Sequence, residues 1–323
     1  MEIKIEIIVA CSAVGLSILL LFSLAYLSEK IAFGSRCEKN PFVKYFTAED
    51  FDLSAQPVSL PKGLNGILYR KADEPQNNKL IIFCHGMGPG HIAYTTEIAY
   101  FCNFGFTVLA VDSRGCNLSG GKNLKGMYSG VQTVIYAIDY AKEKGYNDIS
   151  LVGHSWGAYS ALCASKKRKV NKVVAISAPN TPVSTFAGGA ASMGGLPRPL
   201  IAILHPFWWV VNFFKYGAKG NSNAAKCANR NGTPTLLIHG DKDKVVTLKK
   251  SAFNKAKGNH VIKLLAEGKA HNPYNTENAE NQLAILSEKL KKNEFNEIMK
   301  FDFKAATEED EEVMEKILKF IES

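Results

Sequence analysis

Short, largely apolar runs alternate along this chain with stretches in which apolar residues recur every three or four positions. The runs are of the kind expected for strands buried on both faces of a parallel sheet, and they lie at residues 79–84, 106–111, 149–152, 172–177 and 233–240. Between two of them, the apolar positions of 131–141 follow the spacing of an amphipathic helix. This alternation predicts a mostly parallel sheet with helices on both faces.

The same criteria predict the remaining elements. With 323 residues, 46% of them hydrophobic, the chain is long enough for one large domain with an ample core, or for two smaller ones. In chain order, the further elements are a strand at 66–70, a turn at 74–78, a helix at 92–104, a helix directly after 149–152, a strand at 261–265 and helices at 277–291 and 308–321.

Residues 7–27 form an apolar run without a charged side chain. About 20 apolar residues suffice to cross a bilayer core as a helix. A secretory signal would have a basic leading segment and a shorter apolar core, whereas here Glu2, Lys4 and Glu6 precede the run. We predict a permanent transmembrane anchor at 7–27, followed by a juxtamembrane linker at 28–60.

The flanking charges predict how this anchor is oriented. Four basic residues follow it within 30–44, whereas Lys4 and the terminal amine precede it, so the positive-inside rule puts the larger part of the chain in the cytoplasm. The seven cysteines are scattered without a Cys-x-x-Cys pair, which is typical neither of a disulfide framework nor of a metal site. Two glycosylation sequons, beginning at Asn117 and Asn231, argue for the opposite side.

The net charge of +9 says little about partners. The basic side chains are spread along the chain except for the run Lys-Lys-Arg-Lys at 166–169. That run lies where the helix after 149–152 should end, and cations there complement the helix dipole. An anionic lipid or nucleic-acid patch is the alternative. Because no nucleic-acid motif accompanies the charge, we predict no nucleic-acid partner.

The motif Gly-His-Ser-Trp-Gly at 153–157 carries the most specific chemistry. It fits a nucleophile elbow, in which a serine sits on a strained turn between a strand and a helix and glycines two positions either side let backbones approach. Here the serine is Ser155. The N–H of the next residue, Trp156, then points at the reacting atom.

A glycine-rich loop at 85–90 follows the central strand 79–84. Such a loop exposes backbone N–H groups to a ligand, so it could also cradle a phosphate or form a plain turn. No Gly-Lys-Ser/Thr follows, as a Walker motif would require. With an elbow serine in the same chain, we predict that the N–H of Met87 joins that of Trp156 in an oxyanion hole.

Three motifs together resemble the α/β-hydrolase family, in particular its monoacylglycerol-lipase-like and serine-aminopeptidase-like branch. They are His-Gly-Met-Gly at 85–88, Asp-Ser-Arg-Gly at 112–115 and the elbow at 153–157. The resemblance implies an α/β-hydrolase fold for residues 61–323, with a lid inserted at about 179–232. In one departure, Cys-Asn-Leu-Ser at 116–119 stands where the family usually has His-Gly-x-Ser.

A serine nucleophile needs a base and an acid that orients the base, and in this fold they follow the serine in the order acid, then histidine. Asp241 and Asp243 both follow the strand 233–240, and either suits the requirement by position. The family pattern Gly-x-x-Asp maps to Asp243. His271 follows the last strand, where the base belongs, and His85 is expected to brace the glycine-rich loop.

The predicted lid contains a small, glycine-rich part at 185–195 and a strongly apolar part at 199–214. The apolar part could line a substrate pocket, lie on the membrane as an amphipathic segment or belong to the core. A second membrane span is the remaining alternative, although the run is short and Pro206 interrupts it.

These observations predict a membrane-anchored serine hydrolase that cleaves a lipid-like or small acyl ester through Ser155, His271 and Asp243. The mechanism calls for no cofactor and no metal. Two alternatives stay open, namely an aminopeptidase-like amide hydrolase and a catalytically silent, membrane-tethered binding protein of the same fold.

Overall fold

A central β-sheet organises the computed structural model, which describes residues 2–72, 78–192 and 197–323. Residues 74–77 of the predicted turn lie outside the described residues. The strands are β1 (Leu53–Leu60), β2 (Leu64–Lys71), β3 (Lys79–Cys84), β4 (Thr107–Asp112), β5 (Asp148–His154), β6 (Lys172–Ile176), β7 (Thr235–Gly240) and β8 (Val261–Ala266). They lie side by side in the order β1-β2-β4-β3-β5-β6-β7-β8.

The sheet is mostly parallel, as the alternating pattern predicts. Only β1 with β2, and β2 with β4, pair antiparallel; the other neighbours pair parallel. Parallel neighbours need crossover connections, and most of these carry helices. The carboxyl ends of the parallel strands share one edge of the sheet, so the loops after β3, β5, β7 and β8 meet there.

Helices cover both faces of the sheet because successive strand residues point to opposite sides. In β3, Leu80 and Ile82 pack into one apolar cluster with the helices at 128–143 and 156–165, whereas Ile81 and Phe83 pack into another with the helices at 95–103 and 311–322. The helices are α1 (Glu2–Phe33), α2 (Thr95–Asn103), α3 (Tyr128–Glu143), α4 (Trp156–Ser165), α5 (Pro182–Ser192), α6 (Arg198–Tyr216), α7 (Ala224–Asn231), α8 (Ala252–Lys255), α9 (Glu277–Lys291), α10 (Phe295–Ile298) and α11 (Glu311–Glu322).

Helix α1 is long and apolar enough to cross a membrane by length and composition, a property that signal sequences share, and no other helix in the described part of the chain meets both criteria. It continues past the predicted anchor at 7–27 as far as Phe33. The extra turns are helical because Glu29 and Phe33 are buried against the rest of the protein. Strand β1 then occupies the last part of the predicted linker at 28–60.

Pro206 does not interrupt the apolar segment of the predicted lid, because α6 runs through it without a break. A proline removes one backbone N–H and leaves the carbonyl four residues earlier without its helical partner. Both Pro206 and Ala202 lie on the exposed side of α6, where that carbonyl can be solvated. The helix therefore tolerates a residue that the sequence pattern treats as a break.

Candidate active site

Ser155 lies at the sharp turn between β5 and α4, at the carboxyl edge of the sheet. Its backbone has φ 53° and ψ −116°, a conformation that residues with a side chain rarely adopt. The Ser155 N–H donates to the carbonyl of Ile176 at 2.8 Å, which holds the turn against β6. The strained backbone thus lifts the hydroxyl out of the sheet.

The two glycines of the motif are required by close backbone contacts. A Cβ added at Gly157 would lie 1.9 Å from the carbonyl oxygen of Cys84 at the end of β3. A Cβ at Gly153 would lie 2.7 Å from the carbonyl oxygen of Gly157. Because any side chain would push the helix away from the sheet, the Gly-x-Ser-x-Gly spacing follows from the packing of this turn.

Three side chains from separate loops meet at this edge. His271, after β8, places Nε2 at 3.1 Å from Ser155 Oγ and Nδ1 at 2.8 Å from Asp243 Oδ2. A carboxylate only accepts, so Nδ1 carries the proton and Nε2 accepts from the serine hydroxyl. The three positions are separated by 116 and 28 residues along the chain. The structure therefore brings together the three predicted side chains in the order serine, imidazole, carboxylate.

Asp243, rather than Asp241, contacts the imidazole. Asp243 is buried, and its Oδ1 accepts the backbone N–H groups of Val245 and Val246 at 2.8 Å each. Burial by itself raises the pKa of Asp243, but the hydrogen bond with His271, its charge and these N–H groups outweigh burial and hold that pKa below its usual value. Asp241 is exposed at the strand end, as a turn residue would be.

His239 is a further member of the site, which the sequence marks only as a histidine at a strand end. Its Nε2–H donates to the carbonyl of Val246 at 2.8 Å and lies 3.5 Å from Asp243 Oδ2. Burial lowers the pKa of His239, which favours the neutral ring. The ring therefore supports the loop that holds the carboxylate.

The glycine-rich loop at 85–90 lies directly against the elbow. A Cβ added at Gly86 would lie 3.4 Å from Ser155 Cβ. His85 braces this loop as expected, because its Nδ1–H donates to the Gly86 carbonyl at 2.5 Å and its Nε2 accepts the Ser113 N–H at 2.9 Å. Met87, the predicted oxyanion donor, comes next and its side chain is exposed.

Trp156, the other predicted donor, is the first residue of α4. The first N–H groups of a helix have no partner within it, so the Trp156 N–H is free to bind a ligand atom. Its indole is buried and donates through Nε1 to the Met127 carbonyl at 2.8 Å. This contact fixes the residue whose backbone faces the nucleophile.

Two residues that belong to no sequence motif also contact the base or the ring that packs against it. Ser177 directly follows β6, and its hydroxyl donates to the carbonyl of His271 at 2.7 Å. Tyr94 contacts the ring of His154 at 2.9 Å. Both residues are far from their partners in the sequence, so no local pattern could have identified them.

The segment that follows α1 contacts the loop at 115–121. The guanidinium of Arg36 donates to the carbonyls of Asn117, Ser119 and Gly121 at 2.9 Å each. The Cys37 N–H also donates to the Gly115 carbonyl at 2.9 Å. The segment that follows α1 is thereby fastened to the loop beside the active site.

Aromatic side chains connect α1 and the predicted lid to the elbow. Phe33 at the end of α1 lies 6.4 Å from the ring of Trp156 and 5.4 Å from that of Phe186 on α5. Phe186 in turn stacks on Trp208 of α6 at 5.9 Å. These rings form a buried apolar layer that reaches Trp156, the residue after the nucleophile.

Helix α6, which covers the apolar part of the predicted lid, has two different faces. One face packs into the core, while the opposite face is exposed. The buried side chains are Ile201, Leu204, Trp208 and Val211, and the exposed ones are Ile203, Trp209, Phe213 and Phe214.

Over the described ranges, no group of three or more His, Cys, Asp or Glu side chains is arranged to hold a metal ion.

Comparison with known proteins agrees with this architecture. Residues 81–220 match the sequence model of the Alpha/beta hydrolase family. No curated protein matches the sequence significantly. Among solved structures, the chain is similar to an esterase from Pyrococcus furiosus, with 21% identity, 80% of this chain and 98% of that chain covered, and a TM-score of 0.59.

Two further structures are similar over most of their length. An alpha/beta hydrolase from Penicillium sp. sh18 has 18% identity, with 74% of this chain and 98% of that chain covered and a TM-score of 0.51. An esterase/lipase from an uncultured bacterium has 17% identity, with 70% and 78% covered and a TM-score of 0.50. At these identities the likeness is one of fold.

Proposed function

This chain has the α/β-hydrolase fold, and from that premise we propose that it is a membrane-anchored serine hydrolase that cleaves acyl esters. The observation that carries the proposal is the contact series from Asp243 through His271 to Ser155, at 2.8 and 3.1 Å. Such a series on a strained elbow activates a serine hydroxyl as a nucleophile.

In the proposed reaction, Ser155 Oγ attacks the acyl carbonyl while His271 Nε2 takes its proton. The buried Asp243 carboxylate stabilises the imidazolium, which then protonates the leaving group. Water next attacks the acyl-enzyme, with His271 as the base, and releases the acid. The Trp156 and Met87 N–H groups bind the negative oxygen of each tetrahedral intermediate, and loss of one such donor lowers turnover by about 10²–10³.

The proposed membrane anchor is α1. Its apolar side chains from Ile5 to Leu20 are exposed, which is unfavourable in water and favourable in a bilayer. The exposed face of α6 continues this apolar surface, since Phe214 contacts Phe22 of α1 at 6.5 Å. An enzyme attached in this way meets acyl substrates that are dissolved in the membrane or close to it.

We propose that the hydrolase domain faces the cytoplasm. In addition to the flanking charges, both sequons are engaged within the fold, which supports this orientation. The Asn117 amide donates to Asp112 Oδ2 at 3.0 Å, and the Asn231 amide donates to Ser165 Oγ at 2.9 Å. An amide in such a contact is poorly placed to accept a glycan.

Lipid-like or small acyl esters fit the surroundings of Ser155 best. The exposed Met87 side chain, in the loop against the elbow, and the exposed apolar side chains of α6 present apolar surface to an acyl chain. An aminopeptidase would need a further carboxylate close to Ser155 to bind a free amino terminus, since Asp243 is engaged by His271 and by the Val245 and Val246 N–H groups.

Labelling by a fluorophosphonate probe tests the proposed nucleophile. We expect the wild type to be labelled and Ser155→Ala to be unlabelled, because the probe reacts with an activated serine. Ser160→Ala is the matched control, since Ser160 lies one turn further along α4 and donates to the Trp156 carbonyl at 2.8 Å. Labelling that survives in Ser155→Ala, or fails in the wild type, would reject the nucleophile.

Hydrolysis assays then separate the substrate classes. The wild type is compared on p-nitrophenyl esters of increasing acyl length and on amino-acid p-nitroanilides. We expect turnover of the esters, with kcat/KM rising with chain length as the acyl chain covers apolar surface. Turnover of the anilides alone would favour the aminopeptidase, and labelling without any turnover would favour the silent binding protein.

A further inference from the structure

We propose that Tyr94 and His154 form a positioning chain that ties the oxyanion loop to the base and so sets the geometry between them. This inference rests on the proposed hydrolase function. The chain begins at Gly86, passes through the Tyr94 hydroxyl and the His154 ring, and ends at the carbonyl of His271. Neither Tyr94 nor His154 would touch substrate.

The chain consists of three hydrogen bonds of ordinary length. The Gly86 N–H donates to Tyr94 Oη at 3.0 Å, and Tyr94 Oη lies 2.9 Å from His154 Nδ1. His154 Nε2 lies 3.0 Å from the carbonyl oxygen of His271. The His154 ring also packs against the His271 ring, with centroids 4.8 Å apart.

Only one direction of donation satisfies every atom. The His271 carbonyl can only accept, so Nε2 of His154 carries its proton. Burial lowers the pKa of His154 to about 3, so the ring is neutral at physiological pH and Nδ1 accepts. The Tyr94 hydroxyl therefore donates to Nδ1, and its oxygen accepts from Gly86.

The two ends of the chain are the two parts whose separation matters for the reaction. Gly86 immediately precedes Met87, whose N–H is a proposed oxyanion donor. At the other end, the imidazole of His271 is the base, and the carbonyl of the same residue contacts His154. That carbonyl also accepts from the Ser177 hydroxyl at 2.7 Å. Misplacement of a reacting group by about 1 Å lowers a rate by about a hundredfold, so a loosened chain should slow acylation.

His154 is thus neither a ligand nor a catalytic base, although it directly precedes the nucleophile. Its ring is held from both sides and is buried, which leaves it one protonation state and one orientation. An apolar side chain at this position would leave Tyr94 Oη and the His271 carbonyl without this partner. Those two groups would then be free to move independently.

The test compares Tyr94→Phe with Tyr69→Phe in the full-length protein. Tyr69 is a matched control, because its hydroxyl also contacts a histidine nitrogen, Nε2 of His91, at 3.0 Å, away from the triad. Both changes remove one hydroxyl and leave one histidine nitrogen without its partner. We expect Tyr94→Phe to lower kcat on a p-nitrophenyl ester by at least about tenfold with KM nearly unchanged, and Tyr69→Phe to keep kcat within about twofold.

Changes at His154 give a graded readout. Gln at this position can still donate to the His271 carbonyl, whereas Phe cannot, so His154→Gln should retain more activity than His154→Phe. If the chain acts as one unit, adding Tyr94→Phe to His154→Phe should cause no further loss of kcat. The proposed positioning chain would be contradicted if the kcat losses of Tyr94→Phe and His154→Phe multiplied in the double variant. Equal losses in His154→Gln and His154→Phe would contradict it too.

A spectroscopic measurement tests the chain without activity. In protein with ¹⁵N-labelled histidine, we expect the His154 signals, identified by their absence in His154→Gln, to be those of the neutral Nε2–H form from pH 5 to pH 8. Tyr94→Phe should shift the Nδ1 signal, and Tyr69→Phe should not. Titration of His154 within this pH range would contradict the inference.

The outcomes distinguish this inference from the function on which it rests. If the wild type hydrolyses esters and Tyr94→Phe behaves like Tyr69→Phe, the positioning chain is wrong and the hydrolase stands. If the wild type lacks activity and Ser155-dependent labelling, the proposed function fails, and the positioning role fails with it.

Discussion

Ser155 adopts a backbone conformation that its residue type disfavours, because the turn that holds it must present the hydroxyl outside the sheet. Gly153 and Gly157 are close to other backbone atoms for the same reason. Such requirements are local, so the motif could be recognised from its spacing. Tyr94 and Ser177 act on partners 60 and 94 positions away, and no local rule marks them.

At the residue scale, we predict that Asp243→Asn lowers kcat by about 10⁴, because an amide no longer holds His271 in the tautomer that accepts the serine proton. Asp241→Asn is the control: that side chain is exposed and should leave kcat unchanged. The measurement is ester hydrolysis by both variants. A larger loss in Asp241→Asn than in Asp243→Asn would reverse the assignment of the acid.

The same pair of variants should differ in acid stability. The pKa of Asp243 is lowered in the folded state, so its carboxylate stabilises the fold above the ordinary unfolded value of about 4, and this contribution disappears as pH falls through the folded pKa. The free energy of unfolding, measured between pH 3 and pH 7, should therefore depend less on pH in Asp243→Asn than in the wild type. Asp241→Asn should follow the wild type.

At the scale of elements, α1 belongs to two environments. Its first turns expose apolar side chains, whereas its last turns pack on the folded domain. Ser28 accepts a hydrogen bond from the Trp208 indole at 2.8 Å, and buried Glu29 forms an ion pair with Lys215. Hydrophobicity alone predicts the anchor at 7–27, but its continuation to Phe33 depends on α6, a distant part of the chain.

This packing predicts a clear difference between two positions near the end of α1. Phe33 is 3% exposed and Ile31 is 74% exposed. Phe33→Ala should lower the free energy of unfolding by about 3–5 kcal/mol, because it leaves a cavity between Trp156 and Phe186. Ile31→Ala should change that free energy by less than about 0.5 kcal/mol.

Denaturant unfolding of the detergent-solubilised full-length chain measures both effects. Ester hydrolysis measured in parallel should fall in Phe33→Ala, since Trp156, whose N–H is a proposed oxyanion donor, loses a ring packed against it. Equal stability of the two variants would mean that the end of α1 does not pack as described.

At the scale of the whole molecule, the order of the strands brings the site together. The loops after β3, β5, β7 and β8 supply the glycine-rich loop, Ser155, Asp243 and His271. Because these strands are parallel and adjacent or nearly so, their carboxyl ends share one edge. The predicted α/β-hydrolase fold and its mostly parallel sheet are confirmed.

We predict that a reporter that functions only in the cytoplasm is active when fused after Ser323. The reason is that the basic side chains within 30–44 should retain that side of α1 in the cytoplasm. The matched control carries the same reporter before residue 2 and should give the opposite result. Activity of an exported-side reporter at Ser323 would reverse the proposed orientation.

The sequence by itself predicted strands β2 to β8, most of the helices packed on them, the apolar N-terminal segment and the elbow, because periodicity, bilayer length and backbone sterics act on neighbouring residues. It did not predict β1, which lies in the segment predicted as a linker. It left Asp241 and Asp243 as positional alternatives, and it treated Pro206 as an interruption. Only the tertiary structure decided which aspartate contacts His271, how far α1 extends and which side chains hold the base. Those outcomes depend on groups that come together only when the sheet has formed.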